Sequence, residues 1–231
     1  MSLVNEAKKR AAIASTKLIK NGQVIGIGSG STVHYMIEEL GRRIRDEKLS
    51  VLGISTSNKT TELAKKHGIP LTFLDEHPQL DIAIDGADQV DSQLNLIKGL
   101  GGALTREKII DGVAENLVII VDEGKMTTQL GINQVVPVEV IPFALPPVMK
   151  KLLKLGGKPS IRLTTDNHNR FITDNLNNIV DVDFGAIKNP KKLESEIKQI
   201  TGVVENGLFI NMAKIVLIGN ENNIKKIERK E

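Results

Sequence analysis

The feature that most restricts the fold is a unit repeated along the first half of the chain: a short apolar run, a polar or glycine-rich turn, then a helical stretch. Gln23–Ile27 opens into GSGST (Gly28–Thr32) and a helix through Leu40. Val51–Ile54 opens into STSN and a helix over Lys59–His67, capped by Gly68. Asp81–Ile84 opens into DGAD (Asp85–Asp88), and Leu117–Val121 into Asp122–Lys125. Strands alternating with helices predict an open, mostly parallel α/β sheet, whose ligands sit beyond the carboxyl ends of the strands. These turns all fall at such ends. A helix over residues 4–20 precedes the sheet, Leu71–Leu74 adds a strand, a helix spans Arg106–Glu115, and Ile215–Ile218 is expected to return to the sheet.

From Gln134 the pattern changes. Val135–Ile141, Ser160–Thr164, Arg170–Asp174 and Val203–Ile210 read as strands, with helices over Pro142–Leu155 and Pro190–Ile200. TDNHN makes the turn of a hairpin that Ile179–Phe184 lengthens. The order β-α-β-β-α-β is ferredoxin-like. The expected fold is therefore α/β with a smaller ferredoxin-like α+β domain over 132–207, the larger domain taking 1–131 and 208–231.

Composition narrows the function. With 31 basic and 28 acidic side chains interspersed, the chain lacks the concentrated basic face of a nucleic-acid binder. Lys225, Lys226 and Lys230 read as a solvated tail. Cysteine is absent, which removes disulfides, thiolate catalysis and Cys-based zinc sites and suits a cytoplasmic protein. Lys17 interrupts the N-terminal apolar patch before a signal peptide could form, and no run reaches the roughly 20 apolar residues of a bilayer crossing. No membrane partner is expected.

Four motifs carry candidate chemistry. GSGST at a helix start offers unpaired N–H groups and the positive end of a dipole to a phosphate, with the hydroxyls of Ser29, Ser31 and Thr32 as further donors. It reads equally as a plain turn in which Ser or Thr caps the helix. The third glycine of a dinucleotide fingerprint is missing and no acidic residue ends the next strand, which disfavours NAD. In DGAD, Asp85 and Asp88 can face one pocket because Gly86 and Ala87 add little bulk, or the motif is a simple turn. Its pattern does not fit a calcium loop, and no metal site is expected. Lys98 adjoins Gly99, Leu100, Gly101 and Gly102, a turn able to expose amides to an anion. Glu107 falls in the first turn of the next helix, where the dipole favours a carboxylate whatever its role. Lys125 ends the loop after Leu117–Val121, as a phosphate ligand or as solvated surface.

Taken in order, GSGST, DGAD, KGLGGALTREK and the later Lys125 resemble ribose-5-phosphate isomerases of the A type, as do PVEVIPFA, LKLGGKPSIR and TDN. The resemblance covers nearly the whole chain. It implies a Rossmann-like domain joined to a ferredoxin-like one, and cofactor-free interconversion of ribose 5-phosphate and ribulose 5-phosphate. It puts Glu107 on the general base, and Asp85, Asp88 and Lys98 on polar catalytic positions. Ser29, Gly30, Ser31 and Thr32, the stretches Asp85–Asp88 and Lys98–Gly101, and Lys125 fall on substrate-binding positions, with Lys8 a further phosphate candidate. Leu100 departs from the Gly of many relatives. A homodimer or homotetramer is implied. A sugar-phosphate-sensing domain of a transcription regulator shares this architecture, but the N-terminal helix leaves no room for a helix-turn-helix. A transferase with a carboxylate nucleophile is the other alternative.

Overall fold

The computed structural model describes residues 2–229. The first part of the chain forms α1 (Leu3–Thr16), β1 (Val24–Ile27), α2 (Ser31–Glu47), β2 (Leu52–Ser55), α3 (Asn58–Lys66) and β3 (Leu80–Asp85). Two short strands, β4 (Gln89–Val90) and β5 (Leu96–Ile97), precede α4 (Leu104–Gly112) and β6 (Ala114–Asp122). Then come β7 (Val136–Val140), α5 (Leu145–Lys154), β8 (Lys158–Ile161), β9 (Asn178–Asp183) and α6 (Pro190–Lys198). The chain ends in β10 (Val203–Asn206), β11 (Leu208–Phe209), β12 (Ile215–Gly219) and β13 (Ile224–Glu228). The fold is mixed α/β, with a mostly parallel central sheet and a separate, smaller antiparallel sheet.

The described residues divide into two compact units. The first comprises the chain up to Ala87, Arg106–Met126, and the stretch from Met212 onward. Its sheet runs β13-β12-β6-β3-β1-β2, parallel throughout except for β13 against β12. Parallel strands covered on both faces should be continuously apolar, and Leu117–Val121 of β6 is buried at every position. Ile25, Ile27, Ile82, Ile84, Val118 and Ile120 join Val33, Met36, Ile37 and Leu40 of α2 in one aliphatic core. Small residues set the spacing of the layers. A Cβ at Gly26 would stand 2.7 Å from Ile110 Cγ2 and 2.8 Å from Ala83 Cβ, so glycine there lets α4 settle onto β1 and β3. The run Ile215–Ile218 does pair with β6. Lys225 and Lys226 lie exposed on the edge strand β13 instead of in a free tail, and Lys230 falls outside the described residues.

The second unit comprises Asp88–Thr105 and Thr127–Asn211. Its four-stranded antiparallel sheet has the order β10-β7-β9-β8, and with α5 and α6 it follows the β-α-β-β-α-β sequence. Val136, Val138, Val140, Val180 and Val182 pack with Leu145, Val148, Leu152 and Ile197. A small sheet, β11-β5-β4, completes the unit.

Several expected strands differ. Leu71–Leu74 contributes only a bridge from Leu71 to Gly53, and Phe73 turns out to solvent. The hairpin partner of β8 is Asn178–Asp183, not Arg170–Asp174, which makes isolated bridges only. The reason is burial: Ile179, Val180 and Val182 are fully covered in the sheet, whereas Ile172 is 61% exposed. Val203–Ile210 is not one strand. It breaks at Gly207, whose N–H donates to Pro137 O (2.7 Å) and whose carbonyl accepts from Lys98 N (2.9 Å). Among the described residues no helix is long and apolar enough to cross a membrane.

Candidate active site

In the first unit β6, β3, β1 and β2 are neighbours and parallel, so their carboxyl ends share one edge of the sheet. GSGST follows β1, Thr56 and Ser57 follow β2, Gly86 and Ala87 follow β3, and Glu123–Lys125 forms a short 3₁₀ turn after β6. Asp85, the last residue of β3, is fully buried. Its Oδ1 accepts from Ser29 N (2.9 Å) and Gly86 N (2.6 Å). Gly28 makes room for it, since a Cβ there would lie 2.1 Å from Asp85 Cγ. Gly28→Ala should therefore push the carboxylate out of place. We expect it to cost about 1–3 kcal/mol in a thermal melt.

The helix of the GSGST turn is capped by Gly30, at φ 121°, and not by the side chain of Ser or Thr. The hydroxyl of Ser29 is taken up elsewhere, 2.8 Å from Thr56 Oγ1, 2.9 Å from Ser57 Oγ and 3.0 Å from Thr60 Oγ1. Thr60 in turn donates to Gly28 O (3.0 Å). This buried cluster of hydroxyls fixes the turn's shape and leaves the exposed Ser31 at the opening of α2. Lys8 Nζ donates to Ser31 Oγ (3.0 Å), so the N-terminal helix delivers a cation to this turn. Thr32 is buried and Lys125 is half-buried.

Glu107 stands in the first turn of α4 and is 4% exposed. Ile110 and Asp111, on the same face of the helix, are also buried. This helix face buries two carboxylates where an ordinary amphipathic helix would bury aliphatic side chains, a pattern found where ionisable groups do chemistry.

The second unit holds the remaining residues. Lys98 is 2% exposed, with its backbone tied to Gly207 and its ammonium 5.3 Å from the centre of the Phe209 ring. Asp88 N donates to Ile97 O (2.8 Å), and Asp88 Oδ2 accepts from Leu100 N (3.0 Å). Gly99 (φ 94°) and Gly102 (φ 85°) take backbone shapes that a side chain would strain. Leu100 is not among the residues of positive φ, and its side chain is 40% exposed, so the turn tolerates it where a glycine was expected. Gly101 is exposed, with open space where a Cβ would stand.

Sequence reasoning passed over three features: the Thr56–Ser57–Thr60 cluster, the fully buried Glu139, and Arg162. Glu139 accepts from Thr105 Oγ1, Thr173 Oγ1 (2.8 Å), Asn175 Nδ2 (3.1 Å) and Asn177 Nδ2 (2.9 Å). Lone charges inside the apolar strings VPVEV and PSIRL were the available signal. Among the described residues no three His, Asp or Glu side chains gather as a metal site.

Residues 52–223 match the family model of ribose 5-phosphate isomerase A (phosphoriboisomerase A). The chain is 48% identical to the ribose-5-phosphate isomerase A of Methanosarcina acetivorans over 97% of its own length and 95% of the relative's. It is 47% identical to that of Trichodesmium erythraeum, over 96% and 94%. Among solved structures, the ribose 5-phosphate isomerase A of Methanocaldococcus jannaschii superimposes with a TM-score of 0.93 at 46% identity, covering 96% of this chain and 98% of that one. A D-ribose-5-phosphate isomerase in complex with phospho-erythronic acid gives a TM-score of 0.96 at 42% identity, covering 99% and 100%.

Proposed function

Since the chain belongs to the ribose 5-phosphate isomerase A family, we propose that it interconverts ribose 5-phosphate and ribulose 5-phosphate through an enediolate, with Glu107 as the base. The observation that carries the assignment is the burial of Glu107 in the first turn of α4, following a glycine-rich turn that begins at the buried Lys98. Aldose–ketose isomerisation moves a proton between C2 and C1 while negative charge develops on the neighbouring oxygen. One carboxylate can carry the proton, and one cation or donor must hold the oxygen. Glu107 takes the first role and Lys98 the second. Asp85 and Asp88 handle hydroxyl protons, including those of ring opening.

The phosphate is held at the strand-end edge of the first unit, by the amides of Gly30, Ser31 and Thr32, the α2 dipole, Lys8 and Lys125. The Lys8–Ser31 contact supports Lys8 in that role. Ser29 contributes by shaping the turn, because its hydroxyl is held by Thr56, Ser57 and Thr60 and its N–H by Asp85. The amides of the Lys98–Gly101 stretch bind the sugar. A solved relative holds phospho-erythronic acid, a phosphorylated sugar acid. Its carboxylate offers the planar, anionic end that an enediolate would have, which fits this reading. The same reading makes the protein cytoplasmic and a homodimer or homotetramer, with a Rossmann-like catalytic domain over 1–131 and 208–231 and a ferredoxin-like domain over 132–207.

The test is a coupled assay of ribose 5-phosphate isomerisation with and without EDTA. We expect turnover that the chelator does not change. Absence of turnover would remove the assignment, and loss with EDTA would replace the proton-transfer account with a metal-assisted one.

A further inference from the structure

Arg162 follows β8 in the second unit, its N–H donating to Ile179 O (2.8 Å). Only 11% of its side chain is exposed. Nε donates to Asp181 Oδ2 (2.8 Å) and Nη2 to Asp181 Oδ1, a forked pair rooted in the neighbouring strand β9. The guanidinium carbon lies 5.8 Å from the centre of the Phe171 ring. That ring also fills the space beside Gly102, where a Cβ would come within 2.4 Å of it. Asp181 and Phe171 thus fix the direction of the remaining nitrogen.

Nη1 donates to two successive carbonyls of the glycine-rich turn, Gly99 O (3.1 Å) and Leu100 O (2.8 Å). Peptide units are planar and trans, so holding a carbonyl sends the N–H of the same unit the opposite way. In the Gly99–Leu100 peptide that N–H reaches Asp88 Oδ2 (3.0 Å), and the plane is held at both ends. In the Leu100–Gly101 peptide the N–H is that of Gly101, at the exposed crest of the turn. A guanidinium can join a forked carboxylate pair and two carbonyls at once; a single ammonium has neither the planar fork nor enough donors in those directions.

We propose that Arg162 is a positioning residue for the isomerisation: by holding the carbonyls of Gly99 and Leu100 it turns the amide of Gly101 outward, to meet the sugar phosphate. The inference rests on the reading above that this turn binds substrate. It also gives Asp181 a function, as the group that aims Arg162.

The test compares Arg162→Lys, Arg162→Gln and Gly101→Ala, each by thermal melting and by kcat and KM for ribose 5-phosphate. Arg162→Lys keeps a cation beside Asp181 and should melt close to the parent protein. Its kcat/KM should nevertheless fall by about 10²-fold, the scale set by ångström-level misplacement of a binding group. Arg162→Gln should lose at least as much. Gly101→Ala has room for its methyl in the protein, and should raise KM where substrate approaches the backbone. Folded Arg162 variants with native kcat/KM beside a defective Gly101→Ala would overturn the positioning role alone. Native values for all three variants would show that the turn does not bind the sugar phosphate, and both readings would fall. A loss in Arg162→Lys that follows its melting temperature, and disappears on cooling, would reduce Arg162 to a structural role.

Discussion

Glu107→Gln should lower turnover of ribose 5-phosphate by about 10²–10⁴-fold, the range that general-base catalysis contributes. The substitution keeps the size of the side chain, and removes the negative charge together with the ability to accept and return a proton. Because Glu107 is 4% exposed, the neutral amide also carries a smaller desolvation cost than the anion it replaces. KM should move little, since the phosphate grip assigned to the ends of β1 and β6 is untouched. The check is a steady-state comparison with the parent protein. A variant that keeps near-native kcat would assign the base elsewhere, with Asp111, the other buried carboxylate of α4, the first candidate.

Lys98→Met should have the next largest effect. Lys98 is 2% exposed beside the Phe209 ring, and methionine can fill the same volume and keep a favourable sulfur–aromatic contact. The change therefore keeps the bulk of the side chain and removes the charge with its N–H donors. Loss of one preorganised donor to a developing oxyanion typically costs about 10²–10³ in kcat. We expect a fall of that order, read by kcat in parallel with thermal unfolding. A Lys98→Met protein that turns over normally would leave the enediolate without its proposed stabiliser.

Much of the first unit was legible in the sequence because parallel strands state themselves as apolar runs, and each run here ends in a turn with its own chemistry. The placement of GSGST, Thr56–Ser57, Asp85 and Lys125 along one sheet edge follows from the parallel alignment of the strands, which alternation suggests. The antiparallel unit was harder to read. Arg170–Asp174 and Asn178–Asp183 both resemble strands, and the choice between them depended on which could be buried against β7. Long-range partners were also hidden. Nothing in GSGST indicates that Ser29 would spend its hydroxyl on Thr56, Ser57 and Thr60, or that the helix cap would be Gly30. Arg162 looked like one charge near a strand end, and only the pairing of β8 with β9 brings Asp181 beside it.

The most direct test of the central claim is exchange of the C2 proton of ribose 5-phosphate with solvent, followed by NMR in D₂O for the parent protein and for Glu107→Gln. The account predicts deuterium at C2, and at C1 of ribulose 5-phosphate, with the parent protein, and no catalysed exchange with the variant. Exchange at the parent rate in Glu107→Gln would contradict it, because the proton would then be carried by another group.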